Sequence, residues 1–198
     1  MKLENESDVR VEYDALRHGI GLIDFSSAGK LQLSGKNVVQ FLNGMVSNDV
    51  KALGAGDGVL AAFPNLQGKL LALCRIYNTG SHLLLELEAL SREKIFKNLN
   101  RFVPAGEFFV TDVSDRYGLL SLQGPRSSEL IENLTSQPIP ASVPYKISEA
   151  KIAQANVLVA VHPRCGEDGF DLFIPAEEFS AVRAAVLTRG REFGPIET

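Results

Sequence analysis

Residues 64–76 read PNLQGKLLALCRI and carry the strongest structural signal in the chain. The tetrapeptide Asn65-Leu66-Gln67-Gly68 predicts a hairpin turn, because Asn tolerates tight backbone angles and Gly accepts positive φ without a Cβ clash. The predicted strand that follows, residues 69–77, has Lys69 and Arg75 as its only charged residues. A catalytic site built on this strand would therefore lack a carboxylate to accept a proton.

Composition narrows the class of protein. The chain has 198 residues, 45% of them hydrophobic, which is typical of a globular protein able to bury a core. A net charge of −4 argues against a nucleic-acid partner. The apolar runs are shorter than the ~20 residues of a membrane span, and the amino terminus is too polar for a signal peptide. Two cysteines, Cys74 and Cys165, cannot form a disulfide framework, so we expect a cytoplasmic protein.

The chain repeats one plan of predicted elements. Each half begins with a strand that leads through a glycine-containing turn into a helix, as in Leu33-Ser34-Gly35 and Leu122-Gln123-Gly124. Further strands and a closing helix follow in both halves. The pattern predicts an α+β fold made of two pseudo-repeated strand–helix–strand–strand–helix halves, at about residues 29–103 and 117–190. Each half is expected to pack its helices over an antiparallel sheet, in a ferredoxin-like manner.

The densest group of chemically active residues is the segment 164–171, RCGEDGFD. It is consistent with an acidic hairpin loop whose carboxylates are solvated. It is equally consistent with a binding site in which Asp171, at the start of a strand, accepts two hydrogen bonds from a planar amidine-like edge. The residues by themselves leave both interpretations open.

Two other patterns are weaker. His162 and Cys165 form a lone H-x-x-C pair, whereas a zinc site needs about four ligands, so we predict no metal site. Residues 54–58, GAGDG, lack the Lys-Ser/Thr of a phosphate-binding loop and precede a strand instead of a helix. They are interpreted as a flexible connector.

Four stretches in register resemble the aminomethyltransferase folate-binding superfamily, which includes the glycine cleavage T-protein and YgfZ-type folate-binding proteins. They are GIGLIDFSSAGKLQLSG at 19–35, FLNGMVSNDV at 41–50, LSLQGP at 120–125 and GEDGFDLFI at 166–174. The resemblance covers nearly the whole chain and implies one folate-binding domain of the T-protein type over residues 1–198. It also implies that the carboxyl-terminal barrel domain of that family is absent here.

The resemblance implies a site for tetrahydrofolate in a central cavity between the two halves. Asp171 matches the family's pterin-anchoring Glu, and Arg164 is expected to meet a carboxylate of the folate tail. Leu60, Cys74 and Ile76 are expected to line the cavity from the two arms of the hairpin.

The resemblance also bears on activity. In T-proteins an acid on the hairpin assists aminomethyl transfer, and the matching residue here is Ala72. The leading hypothesis is therefore a non-catalytic, YgfZ-type tetrahydrofolate-binding protein that supports iron–sulfur enzymes or one-carbon metabolism. One alternative is a ligand-free interaction module that self-associates or binds a protein through the surface left by the missing domain. Another is a true aminomethyltransferase in which Glu167 or Asp168 replaces the missing acid.

Overall fold

A computed structural model of the chain describes residues 6–139, 143–193 and 196–197. The chain divides into two units. We call Ser27–Tyr117 with Tyr145–Ile147 the hairpin unit, and the remainder the Asp171 unit. Among the described residues, no helix is both long and apolar enough to span a membrane. The cytoplasmic location stays a prediction.

Helix α1 (Glu6–His18) and strand β1 (Ile20–Asp24) come first and belong to the Asp171 unit. The helix agrees with the apolar spacing of the sequence. The strand was not predicted, because the two glycines that follow the helix suggest a helix end and a loop. Gly21 lies within this strand, where an added Cβ would come within 2.5 Å of the Leu16 side chain. The glycine therefore allows α1 to pack closely against β1.

The hairpin unit holds the first copy of the repeat. Its elements are β2 (Gly29–Gly35), α2 (Val38–Asn43), β3 (Gly58–Pro64), β4 (Leu70–Asn78), β5 (Leu83–Leu87), α3 (Ala89–Asn100) and β6 (Phe108–Asp112). The sheet order is β3-β4-β5-β2-β6, and all neighbours are antiparallel. Alternate strand residues form an apolar core with Leu42 of α2 and Leu99 of α3.

The predicted hairpin turn is confirmed between β3 and β4. The backbone N–H of Asn65 donates to the carbonyl of Lys69 at 2.8 Å, and Gly68 has a φ of +76°. The side-chain oxygen of Asn65 accepts hydrogen bonds from the amides of Gln67 and Lys69. Asn and Gly therefore act at this turn as their chemistry predicts.

The Asp171 unit holds the second copy. Its further elements are β7 (Tyr117–Gln123), α4 (Ser127–Thr135), β8 (Ile147–Ile152), β9 (Ala155–Val161), β10 (Gly169–Pro175), α5 (Phe179–Gly190) and β11 (Ile196–Glu197). The sheet order is β11-β1-β7-β10-β9-β8. The core contains Leu130 and Ile131 of α4 and Val182 and Val186 of α5. The α+β class and the repeat are confirmed, with three strands between the helices of each copy where the predicted formula has two.

Candidate functional site

Asp171 lies in the middle of strand β10 and is completely buried. It stands opposite Ala160 of the antiparallel strand β9. Its neighbours Phe170 and Leu172 point into the apolar core, so strand alternation places the carboxylate on the other face of the sheet. A buried carboxylate is retained only where hydrogen bonds or opposite charges compensate for its lost hydration.

Two side chains from the loop between β9 and β10 supply that compensation. Arg164 donates from Nη2 to Oδ2 of Asp171 at 2.6 Å and from Nε to Oδ1 at 3.1 Å. The guanidinium thus spans both oxygens as a two-pronged donor, the strongest arrangement for this pair. The Nδ1 atom of His162 lies 2.7 Å from Oδ2. Both oxygens of the carboxylate are engaged by the protein itself.

The hydrogen bonds determine the ionisation of Asp171. Burial by itself would raise the pKa of this carboxyl, but the hydrogen bonds from His162 and Arg164 and the positive charge of Arg164 outweigh it. The pKa of Asp171 therefore lies below its ordinary value, and the carboxylate is charged at neutral pH. The site presents a fixed, desolvated negative charge.

An aromatic ring covers the guanidinium. The central carbon of Arg164 lies 4.4 Å from the centroid of the Phe25 ring, within the range of a cation–π contact. Phe25 directly follows β1, and its backbone N–H donates to the carbonyl of Leu119 on β7 at 2.8 Å. Arg164 is therefore held by a carboxylate and an aromatic ring at once.

A buried glutamine positions the loop. The side-chain oxygen of Gln123 accepts the backbone N–H of Arg164 at 2.8 Å, and its amide nitrogen donates to Ser121 Oγ at 2.8 Å and to the His162 carbonyl at 2.9 Å. A Cβ on Gly169 would lie 2.3 Å from the same side-chain oxygen, so a glycine is needed there. Gly169, the first residue of β10, allows this close approach.

Sequence reasoning singled out Asp171 and Arg164 but did not assign Gln123, Ser121 or Phe25 to the site. Ser121 and Gln123 could have been found from the sequence, because they are two polar residues two positions apart in the otherwise apolar strand β7. His162 was weighed only as a metal ligand, and the structure shows it beside Asp171. The contact of Arg164 with a folate tail stays a prediction, since its guanidinium meets Asp171 in this structure.

The three other predicted binding residues belong to the hairpin unit and do not share one surface. Cys74 and Ile76 are fully buried in the apolar core together with Ala72. Cys74 pairs with Ala61 across the hairpin, whereas Leu60 pairs with Arg75. Cross-strand partners lie on the same face, so Leu60 faces the opposite side of the sheet. The predicted grouping of Leu60 with Cys74 and Ile76 on one surface is wrong. Alternation along a single strand does not give the register between β3 and β4, and that register pairs Leu60 with Arg75.

The register also revises the position of the missing acid. Ala72 is 6% exposed and points into the core beside its partner Phe63, whereas Leu73 is 42% exposed on the other face. A functional carboxylate would fit at Leu73 and would be buried at Ala72. Neither residue is acidic, and no other residue of β4 is. Neither face of β4 therefore carries an acidic residue.

The remaining acids near these segments have other partners. Glu86 on β5 stands opposite Arg75 and accepts a hydrogen bond from its guanidinium at 2.7 Å. Glu167, a predicted substitute acid, forms an ion pair with Arg17 at 2.8 Å. The other predicted substitute, Asp168, is exposed and accepts a hydrogen bond from a serine hydroxyl.

Known proteins are similar to this chain in sequence. The family model described as GCVT N-terminal domain matches residues 3–197. An aminomethyltransferase from Acidobacterium capsulatum is 30% identical over 192 residues, 95% of this chain and 51% of the relative. An aminomethyltransferase from Exiguobacterium sibiricum is 28% identical over 182 residues, 91% of this chain and 50% of the relative. The chain thus spans about half the length of these curated relatives.

Two solved structures share the fold. The glycine cleavage system aminomethyltransferase T from Bartonella henselae superposes with a TM-score of 0.80 at 20% identity, covering 94% of this chain and 49% of that chain. A chain of the heterotetrameric sarcosine oxidase from Corynebacterium sp. U-96, in complex with pyrrole 2-carboxylate, superposes with a TM-score of 0.69 at 16% identity. That likeness covers 98% of this chain and 95% of the other.

Proposed function

We propose that this chain, which belongs to the GCVT N-terminal domain family, is a tetrahydrofolate-binding domain without aminomethyltransferase activity. The finer assignment, a YgfZ-type role in the maintenance of iron–sulfur enzymes or in one-carbon metabolism, is part of the same proposal. Its support is the sequence resemblance described above.

The Asp171 carboxylate supports the binding of a reduced folate. The pterin ring presents a ring N–H and an amino group side by side in one plane, and a carboxylate accepts such a pair in the same way as it accepts a guanidinium. Asp171 is charged, fully buried and fixed by its strand. The Phe25 ring lies beside the guanidinium of Arg164, the present partner of that carboxylate. These features support the proposal that Asp171 recognises a planar donor group.

The absence of a carboxylate on β4 is the observation that carries the non-catalytic part of the proposal. The two hairpin positions that could supply an acid are Ala72 and Leu73, one buried and one exposed. The acid on the neighbouring strand, Glu86, is 2% exposed and paired with Arg75. Its carboxylate is thus engaged by Arg75 and is not free on the exposed face of the hairpin.

Calorimetric titration with 5-formyltetrahydrofolate tests the binding. We expect saturable heat with the intact protein, and an affinity loss of roughly tenfold or more in Asp171→Asn, because a charge-assisted hydrogen bond contributes about 1.5–3 kcal/mol. The matched control is Asp168→Asn, which removes an equal charge at an exposed position of the loop that precedes β10. Its affinity should be unchanged.

Both variants must first match the wild-type far-ultraviolet circular dichroism spectrum. No heat with the folded wild type, or equal affinities in wild type and folded Asp171→Asn, would overturn the folate assignment. Transfer of an aminomethyl group to tetrahydrofolate by the purified domain would overturn the non-catalytic part.

A second candidate function is a ligand-free interaction module. The engagement of both Asp171 oxygens by Arg164 and His162 favours it, since the carboxylate is satisfied without a ligand. The similar sarcosine oxidase chain, which this chain covers to 95%, belongs to a heterotetramer. Light scattering over a hundredfold range of concentration separates the two candidates. Self-association without folate binding supports the module, and a monomer that binds folate excludes it.

A further inference from the structure

We propose that Arg164 is a displaceable internal ligand, whose guanidinium fills a subsite for planar amidine groups formed by Asp171 and Phe25. An external ligand with a planar pair of N–H donors would bind only after this guanidinium moves away. The existence of the subsite is independent of the proposed function. The identification of its external ligand as a folate rests on that function.

The chemistry of the subsite is defined by its present occupant. Two donors of Arg164 reach the two oxygens of Asp171 at 2.6 and 3.1 Å, and the central carbon of the same planar group lies over the Phe25 ring, 4.4 Å from its centroid. A carboxylate that accepts two parallel donors and an aromatic ring beside the same group together favour flat, donor-rich cations or amidines. A compact ammonium ion offers neither the parallel donors nor the flat face.

The side chain and the backbone of Arg164 are held by different partners. The backbone N–H is bonded to Gln123, while the guanidinium contacts Asp171 and Phe25 at the far end of a flexible chain. The Arg164 side chain is 12% exposed, whereas Asp171 is 0% exposed. The guanidinium can therefore rotate toward solvent while Gln123 keeps the loop in place and His162 continues to bond the carboxylate.

This arrangement makes Arg164 a competitor of any external ligand. The apparent affinity for the ligand is reduced by the fraction of molecules in which the guanidinium occupies the subsite. Removal of the guanidinium should therefore strengthen the binding of a planar amidine. A residue that served only to hold the loop would have the opposite effect, because its loss would disorder the site.

Chemical rescue tests the subsite without a folate. Arg164→Ala should show a rise of several degrees in its thermal midpoint with 20 mM acetamidinium chloride, and no comparable rise with 20 mM methylammonium chloride. The wild type should respond to neither salt. The matched control is Arg17→Ala, which removes the partner of the half-buried Glu167 in the same loop and should show no rescue. Equal responses to both cations in Arg164→Ala would overturn the proposal.

Folate titration forms the second arm. With 5-formyltetrahydrofolate, we expect Arg164→Ala to bind roughly ten- to hundredfold more tightly than the wild type, the range given by the loss of a charge-assisted pair. If Arg164→Ala does not fold, Arg164→Lys keeps the charge without the two-pronged donor and should still bind more tightly than the wild type. Weaker binding in the folded variants overturns the internal-ligand inference.

The two arms separate the inference from the proposed function. Rescue by acetamidinium with no folate binding in any protein supports the subsite and overturns the folate assignment. Folate binding by the wild type, without rescue and without tighter binding in the variants, overturns the role of Arg164 and leaves the folate assignment standing.

Discussion

Placing a carboxylate at each of two adjacent hairpin residues should have opposite consequences. Ala72 points into the apolar core of the hairpin unit and is 6% exposed, whereas Leu73 is 42% exposed on the other face of β4. We predict that Ala72→Asp strongly destabilises the fold and that Leu73→Asp is tolerated. The comparison tests the register of β3 against β4, which buries Ala72 and leaves Leu73 exposed.

The magnitude follows from the environment of Ala72. A carboxyl group buried among apolar side chains without a partner has its pKa raised by about 3–5 units, which corresponds to roughly 4–7 kcal/mol at neutral pH. Stabilities of folded domains are about 5–15 kcal/mol, so this loss removes a large part of the total. At Leu73 the group remains hydrated, and the cost should stay near 1 kcal/mol.

Urea unfolding followed by circular dichroism at pH 7.5 and pH 5 measures the effect. With a urea m-value of about 3 kcal/mol/M, the midpoint of Ala72→Asp should fall by more than 1 M, roughly, at pH 7.5. The raised pKa of the introduced carboxyl means that its cost shrinks as the pH falls toward that pKa. Ala72→Asn is the control, because its cost should be the same at both pH values.

Two outcomes would contradict the buried position of Ala72. If Ala72→Asp loses no more stability than Leu73→Asp, or if its loss is as large at pH 5 as at pH 7.5, then Ala72 does not point into the core. The position of the missing acid would then return to Ala72.

Three further predictions concern the thiols, the buried acid and the first glycine of β10. Burial raises the pKa of the Cys74 thiol to about 12. At pH 8 a thiol reagent should therefore label the half-exposed Cys165 in the folded protein and reach Cys74 only on unfolding. Cys165→Ser should abolish the labelling of the folded protein. The lowered pKa of Asp171 adds stability that is present above about pH 4 and is lost as the pH falls through that lowered pKa. The difference in urea midpoint between wild type and Asp171→Asn should therefore shrink from pH 5 to pH 2. Gly169→Ala places a Cβ 2.3 Å from a side-chain oxygen and should lower the free energy of unfolding in urea by about 1–3 kcal/mol. Gly44→Ala, whose Cβ would have its nearest neighbour at 3.5 Å, should lower it much less. Equal losses of stability in the two variants would contradict the close approach at Gly169.

Local sequence chemistry accounts for much of the fold. The Asn and Gly of the hairpin turn determine its geometry through contacts within five residues. The repeat is visible because Leu33-Ser34-Gly35 and Leu122-Gln123-Gly124 hold the same place in the two copies. Strand β1 was missed because a short segment with Gly19 and Gly21 has no local signal for pairing. Its antiparallel partner β7 lies about a hundred residues later in the chain.

The sequence by itself determined the α+β class, the repeat, the turn and the absence of an acid on residues 69–77, since each depends on residue type and local spacing. Only the tertiary structure decided which side chains meet. The register of β3 against β4 assigns Leu60 and Cys74 to opposite faces, and the fold of the loop brings Arg164 onto Asp171 and Phe25. The physical reason is that a hydrogen-bonded register and a charged contact depend on the positions of two segments relative to each other, which the spacing within one segment does not encode.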